Sequence, residues 1–131
     1  MKIVVDTSVI IAVIGNEPER KQIIALTEGF ELISPQSVYW EIGNAFSAMF
    51  KKGIIDLEKA KTALTMFRKI AIRFIDIELE ESLELAKKLN IYCYDAYLLR
   101  CVQKYYAPLI TLDKKLQESA KLLGLKTIEV N

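Results

Sequence analysis

Short apolar runs alternate with longer amphipathic ones along the whole chain. The short runs predict strands at Lys2–Asp6, Glu31–Ser34, Ile72–Asp76, Leu109–Leu112 and Lys126–Val130, most of them near-continuous in apolar character. Strands covered on both faces read this way. Helical spacing fills the gaps. One helix is predicted from Glu17 to Glu28. The next has Ser34 as N-cap and Pro35 at its first position, carries Val38, Ile42, Ala45 and Met49 on one stripe, and stops before Gly53. A third begins at Asp56 with Leu57, Ala60, Leu64 and Phe67 aligned. A fourth covers Glu78 to Leu89, a fifth starts near Asp95, and a last runs from Lys114 to Leu123 and ends at Gly124. After the first predicted strand a further apolar run, Val9 to Ile14, follows at once. Strands alternating with helices imply crossovers, and so an α/β fold with a mostly parallel sheet and helices on both faces. Ligands in such folds sit beyond the carboxyl ends of the strands.

At 131 residues, 52% of them hydrophobic, the chain reads as one domain, 1–131, with a core that needs no staples. No apolar run approaches the roughly 20 residues of a membrane span, and the amino terminus does not read as a signal peptide. The two cysteines, Cys93 and Cys101, fit neither a disulfide framework nor a CxxC metal site. A reducing, cytoplasmic setting is expected.

Histidine is absent. That removes Ser-His-Asp and Cys-His catalysis and histidine metal sites. Acid–base or metal chemistry must therefore rest on carboxylates, which favour hard cations such as Mg²⁺ and Mn²⁺. The net charge of +1 is unevenly spread. Lys51, Lys52, Lys59, Lys61, Arg68, Lys69 and Arg73 face only Asp56 and Glu58 in the same segment, whereas Asp76 to Glu84 carries acids and no base. Two solvated helix faces of opposite sign would explain this, and so would a basic wall for a polyanion or an acidic partner.

Four acids stand out. Asp6 and Asp113 follow predicted strands, where an α/β sheet places its chemistry. Asp95 opens a predicted helix among apolar and aromatic neighbours. Glu41 lies on or beside the apolar stripe of its helix, with no basic residue within four positions. A charge there costs several kcal/mol unless paired or bound to a cation. Taken singly, Asp6, Asp95 and Asp113 could each be an N-cap, although none has Glu or Gln three residues on. Glu41 could face solvent or pair with a buried lysine. Four carboxylates in one cleft would raise one another's pKa unless a cation neutralised them. A Mg²⁺ or Mn²⁺ held by carboxylates and waters would activate a water and stabilise a phosphoryl oxygen. Metal-assisted phosphodiester hydrolysis is the reaction class this points to.

The stretches VVDTSVI, WEIGNAF, YDAYLL and TLDKKL, around Asp6, Glu41, Asp95 and Asp113, resemble the motifs of PIN-domain ribonucleases, and in size and order those of VapC toxins. The resemblance covers nearly the whole chain. It implies a three-layer α/β/α fold and a Mg²⁺- or Mn²⁺-dependent endoribonuclease acting on RNA. Asp6 and Asp95 would be the firmest metal ligands, with Glu41 and Asp113 completing the shell. It also implies a homodimer and a cognate antitoxin, for which the basic segment Lys51 to Arg73 is a candidate surface. Thr7, Ser8 and Thr111 match small hydroxyl positions, either ligand-orienting or merely capping. Asn44 follows Glu41 by one turn in an ExxN pattern, and Tyr39, Trp40, Tyr92, Tyr94 and Tyr97 flank two of the acids, to stack on bases or to pack. Arg100 and Cys101 depart from the small apolar residues usual there. Other readings stay open: a non-toxin nuclease of RNA processing, a silent RNA- or antitoxin-binding protein, or a phosphoaspartyl protein using Asp6. The last lacks the companion acids such proteins place near that position.

Overall fold

The computed structural model describes residues 1–131. Five strands, β1 (Lys2–Val5), β2 (Glu31–Pro35), β3 (Ile72–Ile75), β4 (Leu109–Ile110) and β5 (Thr127–Ile128), form one sheet in the order β3-β2-β1-β4-β5. Every pairing is parallel. Seven helices intervene: α1 (Thr7–Ile14), α2 (Arg20–Thr27), α3 (Ser37–Lys51), α4 (Leu57–Phe67), α5 (Leu79–Leu89), α6 (Cys93–Tyr105) and α7 (Lys114–Leu122). The architecture is the expected three-layer α/β/α sandwich. No helix is long and apolar enough to cross a membrane.

The central strand shows why the sheet needs cover on both sides. Ile3, Val4 and Val5 of β1 are all buried although they point alternately to opposite faces. Helix α1 packs with α2, α3 and α4, while α5 packs on α6 and α6 lies over β1 and β2. The result is one continuous cluster of 27 buried apolar residues. The chain leaves β1 to build β2 and β3 on one side, then returns to set β4 and β5 on the other. The switch point therefore lies between the carboxyl ends of β1 and β4, where a crevice opens.

The apolar run Val9–Ile14 lies in helix α1, which the Asp6 carboxylate caps by accepting a hydrogen bond from the Val9 N–H. Two predicted boundaries move. Ser34 and Pro35 do not start α3; they finish β2. The Ser34 hydroxyl donates to the Val5 carbonyl at 2.6 Å, and the pairing with β3 continues through Pro35 and the Gln36 N–H to the Ile75 carbonyl. Pro35 is tolerated as the last strand residue, since it has no N–H to contribute. Helix α3 then begins at Ser37 without a side-chain cap. Helix α2 begins three residues later than predicted, because Pro18 biases Glu17 away from helical backbone. Other ends hold: Asp56 caps α4, and Gly124 takes a left-handed φ of +71° just past α7.

Candidate metal and phosphodiester site

Asp6 is 5% exposed at the carboxyl end of β1. Both its oxygens are held. Oδ1 accepts from the Val9 N–H at 3.1 Å and the Ser8 hydroxyl at 2.7 Å; Oδ2 accepts from the Thr111 hydroxyl at 2.5 Å. Thr111 also accepts from the Asp113 N–H, and Ser8 from the Leu112 N–H. Two hydroxyls thus tie the end of β1 to the turn after β4. Despite these bonds, burial pushes the Asp6 carboxyl up to about 6, and the negative charge of Asp113 adds to the shift.

Glu41 sits in the second turn of α3, half-buried. Burial pushes it up to about 7, and the charges of Asp6 and Asp95 push the same way. The hydroxyls of Ser37 and Thr7 are near enough to favour its ionised form. Neither reaches hydrogen-bond geometry, however, so Thr7 Oγ1, Ser37 Oγ and Glu41 Oε2 are all buried without a partner. Asp95 is half-buried in the first turn of α6, and burial and the Asp113 charge raise its pKa. Asp113 is exposed, its Oδ1 accepting from the N–H groups of Lys115 and Leu116 at the start of α7.

The four acids are therefore linked in a closed chain: Asp6 and Asp95 act on Glu41, and Asp113 acts on both Asp95 and Asp6. None of the five salt bridges in the chain involves any of them. The capping alternative holds for Asp6 and Asp113 and fails for Asp95. Helix α6 starts at Cys93, and its Tyr92 N-cap gives no side-chain bond, so the Asp95 carboxylate is not spent on the helix end.

A hard cation fits this donor set. Uncompensated carboxylates of raised pKa, an orphaned Glu41 oxygen and nearby hydroxyls suit Mg²⁺ or Mn²⁺. No three acidic side chains close round an ion unaided. The reason is visible in the bonds: backbone and hydroxyl donors hold Asp6, and backbone N–H groups hold Asp113. An ion would take its remaining ligands from water, as Mg²⁺ usually does.

Beside the acids lies a polar cleft of about 590 Å³, lined by Thr7, Ser37, Trp40, Glu41, Asn44, Ala45 and Tyr94. Ser37 escaped the sequence reading. Its spacing of four residues from Glu41 on one helix was the available signal. Cys101 is buried and its thiol is pushed up to about 12 by that burial, which leaves it inert.

A comparison of the sequence with curated proteins finds no match. Among solved structures, the fold resembles PAE2754 from Pyrobaculum aerophilum (21% identity, TM-score 0.74, covering 97% of this chain and 89% of that one). It also resembles VapBC2 from Rickettsia felis, crystallised with a DNA fragment from its promoter (17% identity, TM-score 0.72, 100% of both chains). VapC20 from Mycobacterium tuberculosis, described as a sarcin–ricin loop cleaving toxin, is a third (12% identity, TM-score 0.63, 89% of this chain and 94% of that one). At these identities the likeness is one of fold. The sequence itself matches the family model described as PIN domain over residues 3–122, nearly its whole length. With that match, and with the parallel sheet and its switch-point crevice in place, the chain belongs to the PIN domain family.

Proposed function

We propose that the chain is a divalent-cation-dependent endoribonuclease, the toxin of a toxin–antitoxin pair. One observation carries the reading: four mutually repelling carboxylates, with no internal counter-charge, gathered at the switch point of a parallel sheet. A Mg²⁺ or Mn²⁺ there supplies an activated water and neutralises charge on the phosphoryl oxygens. Asp6 and Asp95 would hold the ion, with Glu41 and Asp113 joining directly or through water. Ser8 and Thr111 fix the Asp6 carboxylate in one orientation. The products of water attack on an RNA phosphodiester carry a 5′-phosphate and a 3′-hydroxyl.

The toxin part of the reading is supported by structural relatives solved as VapBC and toxin–antitoxin complexes. It is also supported by a second cleft of about 370 Å³, remote in character from the first. This one is apolar, lined by Val9, Ile10, Ile23, Ile24, Met66 and Ile70 from α1, α2 and the basic segment around α4. Such a surface suits an apolar segment of a partner protein, and the lysines of α4 suit acidic residues flanking it. A homodimer belongs to the same reading, and equilibrium sedimentation measures it.

Cleavage of a 5′-labelled single-stranded RNA tests the proposal. Wild type cuts in Mg²⁺ or Mn²⁺ and stops in EDTA; Asp95→Asn retains the wild-type circular dichroism spectrum and loses cleavage by at least about 100-fold. Cutting by folded Asp95→Asn protein at the wild-type rate would overturn the site. Metal-independent RNA binding without turnover under any divalent ion would leave a binding protein instead.

A further inference from the structure

Trp40 is the only tryptophan in the chain, and it is 72% exposed. Tyr94, on a different helix, is 58% exposed. Both line the polar cleft, together with Glu41 and Asn44, and each is the sequence neighbour of one of the acids. Exposed aromatics of this size are usually either scattered singly or gathered where something stacks on them. These two line one cleft, and each packs edge-on against a neighbouring ring. The Trp40 ring meets Tyr39 at 4.9 Å and 83°, and Tyr39 in turn meets Phe74 at 5.7 Å and 89°. The Tyr94 ring meets Tyr97 at 6.3 Å and 83°. Near-perpendicular partners restrain the ring planes while leaving both side chains more than half exposed. The same cleft is lined by Thr7, Ser37 and Glu41, whose buried oxygens have no hydrogen-bond partners.

From this we infer that Trp40 and Tyr94 are substrate-positioning residues: they clamp one unpaired nucleobase of a single-stranded RNA, next to the phosphodiester presented to the acids. This rests on the nuclease reading and goes beyond it, because it names the side chains that seat a base beside the acids. A base stacked inside a duplex has no free face to offer, so the clamp admits only single-stranded or looped-out RNA. Asn44, exposed on the cleft wall, offers both a donor and an acceptor to the edge of the held base. The Lys114 and Lys115 side chains, exposed just beyond Asp113 in the first turn of α7, sit where a helix dipole disfavours positive charge. They provide cations for the neighbouring phosphates, which an acidic pocket would otherwise repel.

A single tryptophan makes the test direct, because intrinsic tryptophan emission reports Trp40 alone. The full chain is titrated with fluorescein-labelled hexaadenylate in Ca²⁺, used in place of Mg²⁺ to slow cleavage. Binding is read by anisotropy, and Trp40 emission is read in parallel with unlabelled strand. The expected result is quenching of Trp40 that saturates with the anisotropy curve. An abasic hexamer, or the same strand in a duplex, gives at most weak quenching. Trp40→Ala raises Kd for hexaadenylate by about 5- to 150-fold, the range of base–aromatic stacking of about 1–3 kcal/mol. Trp40→Phe restores most of the affinity, and both variants keep the wild-type melting temperature within about 2 °C.

RNA that binds and is cut while Trp40 emission stays unchanged overturns the clamp and leaves the nuclease reading standing. Equal quenching by the abasic strand overturns it too. Absence of both RNA binding and cleavage sinks the nuclease reading along with the clamp. Emission that varies with protein concentration and not with RNA shows a second copy covering this face, and also overturns it.

Discussion

Replacing Asp6 by asparagine should make the protein more stable and destroy its activity in the same step. The carboxyl moves from 3.8 to about 6 on folding, a shift of about two units. At 1.36 kcal/mol per unit, the ionised side chain costs the folded state about 3 kcal/mol at pH 8 without divalent ions. At 5% exposure, solvent screening removes little of this. Asparagine keeps an oxygen for Val9 N–H and Ser8 Oγ, but turns an N–H₂ toward Thr111, whose hydroxyl proton then loses its acceptor. That loss is worth about 1 kcal/mol. The net gain is about 2 kcal/mol, or about 8 °C for a domain of this size. The sign follows from proton binding. Between the unfolded and folded pKa values the folded wild type holds more protons than the unfolded chain, so its stability falls as pH rises through about 6. The advantage of Asp6→Asn should therefore be present at pH 8 and nearly gone at pH 4. The assay is urea unfolding of both proteins in EDTA at the two pH values. If Asp6→Asn is less stable than wild type at pH 8, or if the difference is the same at both pH values, the carboxylate is simply a favourable helix cap. The cluster then has no electrostatic demand for a cation.

The remaining predictions concern the same cluster and its supports. Wild-type protein in EDTA should lose stability progressively from about pH 4 to pH 7, as Asp6, Glu41 and Asp95 ionise, which calorimetric melts across that window will show. Mg²⁺ or Mn²⁺ at a hundred times its Kd should add about 2.7 kcal/mol at pH 8 and little at pH 4; equal stabilisation at both pH values would mean the ion binds elsewhere. Glu41→Gln should leave the fold intact and reduce RNA cleavage by about 100-fold or more, read from initial rates in Mg²⁺. Ser34→Ala, which deletes the buried hydroxyl joining β2 to the Val5 carbonyl, should cost about 1–2 kcal/mol in denaturant unfolding without touching the carboxylates.

Much of this protein was legible from residue order. Near-continuous apolar runs marked most of the strands, because strands covered on both faces carry no alternation, and the alternation of strands with helices required parallel crossovers. The positions of Asp6 and Asp113 after strands, and of Glu41 beside an apolar stripe without a local base, marked them as groups whose charge needed an explanation. Composition without histidine limited the chemistry to carboxylates and hard cations.

Contacts between distant segments decided the rest. Whether Ser34 caps a helix or closes a strand depended on the Val5 carbonyl 29 residues away, and local pattern has no access to that. Whether Val9–Ile14 is strand or helix depended on a cap, since an all-apolar run has no period to read. The acids at 6, 41, 95 and 113 carry no sign of one another in sequence. They interact because the chain reverses its direction of sheet growth at β1, which brings two strand ends and two helix starts to one crevice. The desolvation that raises the pKa values of Asp6, Glu41 and Asp95, and the packed rings of Trp40 and Tyr94 beside them, exist only once that crevice has closed.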